Sequence, residues 1–238
     1  MKSLHELCKP RESVFDSQKR DTVLDLTDLV DGRIDPAEFF TENYVTEGMK
    51  TLLEHGMRRL EGKTDQGVFK LKQAMGGGKT HNLLVLGLLA RHPKFREKVM
   101  GSFYKSDPFL GAVKVIAFTG RESDAPLGIW GTVAKQFDKK EHFKDCYAPL
   151  QAPGQKAWEN LFKGETVLIL LDELPPYFEN AKSKAIGNSD LAQVTATALS
   201  NLLVAIGRPA CSRVCLVLTD LAATLILTDF VSMLSNLP

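Results

Sequence analysis

Gln73-Ala74-Met75-Gly76-Gly77-Gly78-Lys79-Thr80-His81 follows a short β-like run and precedes an apolar helix-like run. Three consecutive glycines let the backbone take positive φ and turn its N–H groups inward. The result is a concave nest for a phosphate chain at a helix N-terminus. Lys79 adds a compact positive charge for the β- and γ-phosphates, and Thr80 supplies the hydroxyl expected on Mg²⁺. Against the pattern G-x-x-x-x-G-K-[ST], Gln73 stands where the first glycine belongs. The competing account is a glycine-rich turn with an unrelated Gly-Lys-Thr. Context weighs against it: Val68-Phe69-Lys70-Leu71-Lys72 suits a strand, and His81 to Ala90 carries Leu83, Leu84, Val85, Leu86, Leu88 and Leu89, so the strand–loop–helix order is present. One feature fits poorly, since a central parallel strand is apolar on both faces and this one alternates with Lys70 and Lys72.

The second informative stretch is Thr166-Val167-Leu168-Ile169-Leu170-Leu171-Asp172-Glu173, a fully apolar run ending in two carboxylates. It is expected to be a buried parallel strand with acids at its carboxyl end. Open α/β sheets bind ligands at that end, so both motifs would face one crevice. Asp172 suits a Walker B role, holding Mg²⁺ through its water shell, and Glu173 would polarise the attacking water. The plain alternative is that two acids cap a strand; Gly-Gly-Gly-Lys-Thr upstream favours the functional account. Further on, Val214-Cys215-Leu216-Val217-Leu218 is a strand ending in Thr219-Asp220. Thr219 is a candidate sensor of the γ-phosphate or its water, and a strand-end turn accounts for it equally well.

The 238 residues are 44% hydrophobic and 25% charged, an ordinary globular make-up with enough chain for one sizeable core. A formal net charge of +1 carries no whole-chain signature of a nucleic-acid or membrane-surface binder. The longest apolar runs are about ten residues, roughly half of a membrane span. The first residues lead into no apolar core, so no secretory signal is expected and the chain is placed in the cytoplasm. Four cysteines without ligand spacing are expected to be buried thiols rather than a metal site.

Residues 1 to about 35 form a polar arm with one short element at Val23 to Val30. Asp35-Pro36 starts a helix through Phe40, and Thr46 opens another whose apolar face takes Met49, Leu52, Leu53, His55, Met57 and Leu60. His55 is expected to be packed or superficial rather than a ligand. A strand is expected over 112–118, closed by Thr119-Gly120-Arg121, and a helix from Gly128, with Trp130 assigned to the core. Residues 138–153 suit a surface loop and Trp158 to Phe162 a short helix. Asp190 to Ile206 is a long helix ended by Gly207 and Pro209. No arginine is a convincing cis finger: Arg121 and Arg213 flank strands in unassigned orientations, and Arg208 sits in a turn.

One strand intervenes along the chain between Lys79 and Asp172, and Glu173 follows that aspartate. Both suit the additional-strand branch of P-loop ATPases. The expected fold is therefore an α/β, AAA+-like P-loop NTPase: a parallel sheet with flanking helices in residues 61–238, behind a small helical N-terminal segment in 1–60. After Asp220 too few residues remain for a further helix, a fifth strand and a lid, so the sheet is expected to be incomplete at the C-terminus.

Val45-Thr46-Glu47-Gly48-Met49, Leu71 to His81, Trp130-Gly131 and Leu171-Asp172-Glu173, in this order, resemble the ATPases designated domain of unknown function 499, over about residue 10 to about residue 225. The family's own loop begins with glutamine, which accounts for Gln73. The resemblance implies large bacterial and archaeal AAA+-type proteins encoded in anti-phage defence or restriction-like clusters, beside a DNA methyltransferase and a helicase. It implies ATP binding at Lys79 and Thr80, with Asp172 and Glu173 as the Walker B pair. Together with the residues' own pattern, the expected sites are Gln73, Gly76, Gly77, Gly78, Lys79, Thr80 and His81 for ATP, Thr80 and Asp172 for Mg²⁺, and Glu173 and Thr219 for catalysis. Such proteins are several times longer, so this chain is expected to be an N-terminal fragment or a truncated product. The expected function is an ATPase module of a DNA-bound defence complex, in homo-oligomeric form or not. The alternative is a regulatory module that binds ATP without appreciable hydrolysis; a small-molecule kinase is disfavoured because no acceptor site is evident.

Overall fold

The computed structural model describes residue 8 and residues 24–72, 77–121 and 125–219. Three helices come first: α1 (Leu26–Val30), α2 (Pro36–Glu42) and α3 (Glu47–Leu60). Then β1 (Val68–Leu71) leads to α4 (Lys79–Arg91), α5 (Arg96–Met100) and β2 (Lys114–Thr119). Next, α6 (Gly128–Gln136) and α7 (Gln155–Phe162) precede β3 (Val167–Asp172). The described part continues with α8 (Leu174–Lys182), a small hairpin of β4 (Ala185–Ile186) and β5 (Ser189–Asp190), α9 (Leu191–Ile206) and β6 (Val214–Thr219).

Helix starts follow short polar side chains. Asp35 accepts the Ala37 N–H ahead of Pro36, Thr46 accepts the Met49 N–H, and Asp190 accepts the Gln193 N–H. Asp25 and Asp28 form a reciprocal capping box on α1.

Four strands make one parallel sheet in the order β1-β6-β3-β2. Every residue of β3 is buried, because helices cover both faces. Leu168 and Leu170 join Phe69, Val115 and Val217 in a core with α1 to α5. Val167, Ile169 and Leu171 join Ile116, Phe118 and Leu216 in a second core with α6 to α9. Each fully buried Leu or Ile contributes about 1.5–3 kcal/mol, so these two layers dominate the folding energy. The lysines now have a reason: among the described strands β1 is an edge on which Lys70 and Leu71 are only half-buried, and Lys72 lies exposed beyond its end.

Several local expectations change. His55 is exposed, and α3 instead buries Gly56 and Arg59 beside its apolar residues. Residues 140–146 are not a plain surface loop but 3₁₀ turns that bury Phe143, whose ring stands edge-on to Trp158 at 4.8 Å. Cys211 and Cys215 are buried, with burial pushing the Cys215 thiol up to about 12, whereas Cys8 is exposed and Cys146 half-buried. Trp130 is fully buried, as a core residue should be. The expected arm lies outside the described residues as far as 23, Cys8 excepted, and so do residues 220–238.

Two buried charged side chains near the end of α3 hold neighbouring segments in place, Arg59 at the start of β6 and Glu61 on the stretch after α5. Arg59 donates to five carbonyls, those of Val214, Thr64, Asp65, Ile206 and Cys211, at 2.7–3.1 Å. All five guanidinium N–H groups are thereby used, which is how a buried arginine is held without a carboxylate. Burial alone would raise the pKa of Glu61. Bonds from Lys63, Tyr104, the Asp107 N–H and Ser106, at 2.5–2.9 Å, outweigh it and hold the carboxyl below its ordinary value. A depressed folded-state pKa adds stability above the unfolded value and loses it as pH falls through the folded one. Glu61→Gln should therefore cost about 1–3 kcal/mol at neutral pH. The gap to the parent should close as pH drops below about 4. Urea denaturation across that range is the check, and a gap independent of pH would refute the account.

Candidate functional site

Parallel register brings chemistry to one end of the sheet. Leu71 lies beside Thr219, and Thr119 beside Asp172, so β1, β6, β3 and β2 all finish there. At this end the Asp172 carboxylate, only 3% exposed, is shared among three donors. Its Oδ2 accepts from Thr80 Oγ1 at 2.6 Å. Its Oδ1 accepts from Thr219 Oγ1 at 2.6 Å and from the Glu173 N–H at 3.0 Å. The same N–H reaches the Thr219 oxygen at 3.1 Å. Thr80, Asp172, Glu173 and Thr219, picked from distant parts of the chain, are thus brought into one cluster.

Gly77 is exposed, and Gly78 caps α4 with φ +72° and ψ 26°. Among the described residues no atom lies within 4 Å of where a Cβ would sit, and the left-handed backbone itself asks for glycine. Among the described residues no side chain caps this helix start. The first-turn N–H groups of Lys79, Thr80 and His81 are the kind that receive an anion. Gln73 and Gly76 lie outside the described residues. The exposed His81 ring does not stand alone: it stacks on Phe39 of α2 at 5.1 Å and 28°, and its Nε2 lies 2.6 Å from Asn43 Oδ1. Burial against its neighbours lowers its pKa. The N-terminal helices are latched to the helix that carries Lys79 and Thr80.

Glu173 is the N-cap of α8 and one of two non-glycine residues with positive φ among those described, at φ 47° and ψ 43°. Such a conformation costs about 1–3 kcal/mol and persists only where the surroundings impose it. Here the surroundings are explicit. Gly120 donates its N–H to the Asp172 carbonyl at 2.8 Å, and a Cβ on Gly120 would lie 1.9 Å from the Glu173 carbonyl oxygen. The end of β2 is pressed against the turn that presents Glu173.

Arg121 follows directly, and its guanidinium grips both carboxylate oxygens of Glu173: Nη2 bonds Oε1 at 3.0 Å and Nε bonds Oε2. The pairing raises the Arg121 pKa. The sequence left this arginine without an orientation, since no pattern near residue 121 marks Glu173 as its partner. Arg213 is excluded from the site, since its Nε bonds the Leu60 carbonyl at the opposite end of β6. Asn43 and Phe39 also went unnoticed, because nothing local marks them as partners of His81.

A family model described as DUF499 N-terminal domain matches residues 2–102 and 122–224, well over half of the chain. The chain belongs to the DUF499 family. No curated protein and no solved structure matches it. The two matched stretches of this DUF499 chain flank residues 103–121, which hold β2, Gly120 and Arg121. Among the described residues no helix is long and apolar enough to cross a membrane.

Gly120→Ala should break the closure around Glu173. A methyl overlapping a backbone oxygen forces the two backbones apart, at about 1–3 kcal/mol. Chemical denaturation measures it, and a variant as stable as the parent would mean that β2 and the Glu173 turn are not in contact.

Proposed function

We propose that this DUF499 chain is a P-loop NTPase module that binds ATP with Mg²⁺. The observation that carries the reading is the 2.6 Å bond between Thr80 and Asp172, which joins the glycine-lysine-threonine loop to the acid pair across 92 positions of sequence. A chance Gly-Lys-Thr turn has no reason to meet a buried strand-end carboxylate. Strand order adds support: β6 lies in the sheet between β1 and β3, as the additional-strand, AAA+-like branch requires, while β2, the strand that intervenes along the chain, lies beyond β3.

The donor set suits Mg²⁺. A hydroxyl and a carboxylate are hard oxygen ligands, few in number, which fits an ion that keeps several waters. Thr80 and Asp172 would hold it, and when bound it neutralises charge on the β- and γ-phosphates. Lys79, in the first helical turn, carries its ammonium for the same phosphates. Glu173 is the candidate base for the attacking water. Thr219 supports both acids, donating a hydrogen bond to the Asp172 carboxylate and accepting one from the Glu173 N–H. In cells we place this activity in an ATP-driven defence complex on DNA, with a DNA methyltransferase and a helicase as companions.

The second reading, a regulatory module that holds ATP without appreciable hydrolysis, is favoured by one observation. Both oxygens of Glu173 are engaged by Arg121.

Lys79→Ala should abolish ATP binding measured by calorimetry, and equal affinity in the two proteins would remove the loop from the account. Glu173→Gln should keep the affinity and block phosphate release, since the amide preserves size but is no base. Turnover by the parent at the Glu173→Gln level, with and without DNA, would favour the regulatory reading. The 238-residue chain should in any case turn over slowly by itself, because an arginine finger is worth about 10³ to 10⁵-fold in such enzymes.

A further inference from the structure

β2 ends the sheet on the side away from β1, so its outward peptide groups have no strand to pair with among the described residues. In a parallel strand the peptide groups of alternate residues turn to opposite sides. The Gly120 N–H bonds the Asp172 carbonyl, which puts the even-numbered residues toward β3 and turns Val115, Ala117 and Thr119 outward. These three residues are met differently. The Val115 carbonyl takes a long bond of 3.4 Å from Arg91 Nη2. Ala117 is paired by a side chain: the Gln136 amide accepts its N–H at 2.9 Å and donates to its carbonyl at 2.8 Å, as the peptide of a neighbouring strand would. Thr119 has no such backbone partner among the described residues.

A groove of about 620 Å³ opens at this point, lined by Ala117, Phe118 and Thr119. It also touches α1 and α6, which pack on opposite faces of the sheet, so it lies beyond the edge, where one more strand would run. Its size is that of sites that take a ligand. The walls differ in kind. α1 presents Leu26 and Val30, whereas the α6 side presents Lys135 and Lys140, both exposed and neither in an ion pair with a described residue. A strand laid here would send alternate side chains to the two walls.

We propose that the outer edge of β2 docks an extended peptide segment of a partner protein, one in which apolar and acidic residues alternate. The segment pairs its backbone with Thr119 and takes Ala117 over from Gln136. Its apolar side chains lie on α1, and its carboxylates meet Lys135 and Lys140. Main-chain bonds supply affinity in this mode, and the side-chain walls supply selectivity. Gln136 is then a plug that protects the edge from indiscriminate strand pairing. A second copy of this chain is the poorer occupant. Neither described edge strand, Val68–Leu71 or Lys114–Thr119, carries an acid, and each carries a lysine. The site stands apart from the nucleotide reading, since none of Lys79, Thr80, Asp172 and Glu173 lines the groove.

The experiment is selection from a phage-displayed library of random ten-residue peptides on the full 238-residue chain. Fluorescence anisotropy with the selected peptides, made synthetically, and hydrogen exchange of the chain follow. Selected sequences should alternate apolar and acidic residues, and the tightest should slow exchange of the Ala117 and Thr119 amides. Gln136→Ala, which removes the plug, should bind that peptide about two- to tenfold more tightly. Lys135→Glu combined with Lys140→Glu should weaken binding about three- to tenfold, and less at high salt, where exposed charges are screened. No enriched peptide, enrichment without acids, affinity indifferent to the lysine reversal, or unchanged exchange at Ala117 and Thr119 overturns the proposal. So does a dimer in sedimentation velocity that protects the same amides, which would give the edge to a second copy. If Gln136→Ala does not fold, the lysine reversal and exchange in the parent decide on the same criteria.

Discussion

A carboxylate removed from water has to be surrounded by donors, and Asp172 obtains its donors from three different elements. Thr80 comes from the first turn of α4, Thr219 from the last residue of β6, and the Glu173 N–H from the turn into α8. Charge-assisted bonds of this kind contribute about 1.5–3 kcal/mol each. The helix start, the neighbouring strand end and the following turn are thereby fixed relative to one another to within hydrogen-bond tolerance. The strand order serves the same end: β6 pairs with β3, so its Thr219 arrives beside Asp172, and β1 pairs with β6, so the chain leaves β1 next to the place where α4 must begin.

Around that buried floor the site has a wetter rim. Asp172 and Thr219 are almost fully enclosed, while the side chains of Arg121 and Glu173 reach solvent. The division suits the proposed reading: a ligand set for a phosphate-bound cation benefits from rigidity, and the candidate base stays within reach of solvent. His81, clamped between Phe39 and Asn43, extends the rigid part to the N-terminal helices, which bury their apolar faces in the core shared by α4 and one face of the sheet.

Legibility in the sequence tracked how local the cause was. β3 was evident because burial on both faces demands an unbroken apolar run, and Asp172, Glu173 and Thr219 stood out as polar residues at strand ends. The cap residues Asp35, Thr46 and Asp190 announced their helices for equally local reasons. Helix α8 was hidden: Pro175 and Pro176 look like breakers, yet in a first turn their missing N–H groups cost nothing. Arg59 had no signal at all, since its partners lie up to 155 positions away and are backbone carbonyls. Arg121 belongs to the same class. Its orientation depends on Gly120 meeting a carbonyl in another segment, and no pattern near residue 121 encodes that meeting.

The central claim is that Thr80 and Asp172 together receive a phosphate-bound divalent cation. Spin-echo electron paramagnetic resonance with Mn²⁺ in place of Mg²⁺ addresses it directly, because coupling to ³¹P reports a metal held against a phosphate. After free Mn²⁺-ATP is removed by gel filtration, the account expects the chain to retain Mn²⁺ only together with ATP, with phosphorus coupling present, and Thr80→Ala to retain neither while keeping its fold. Mn²⁺ retained without nucleotide, or a coupled Mn²⁺-ATP complex retained equally by Thr80→Ala, would contradict it.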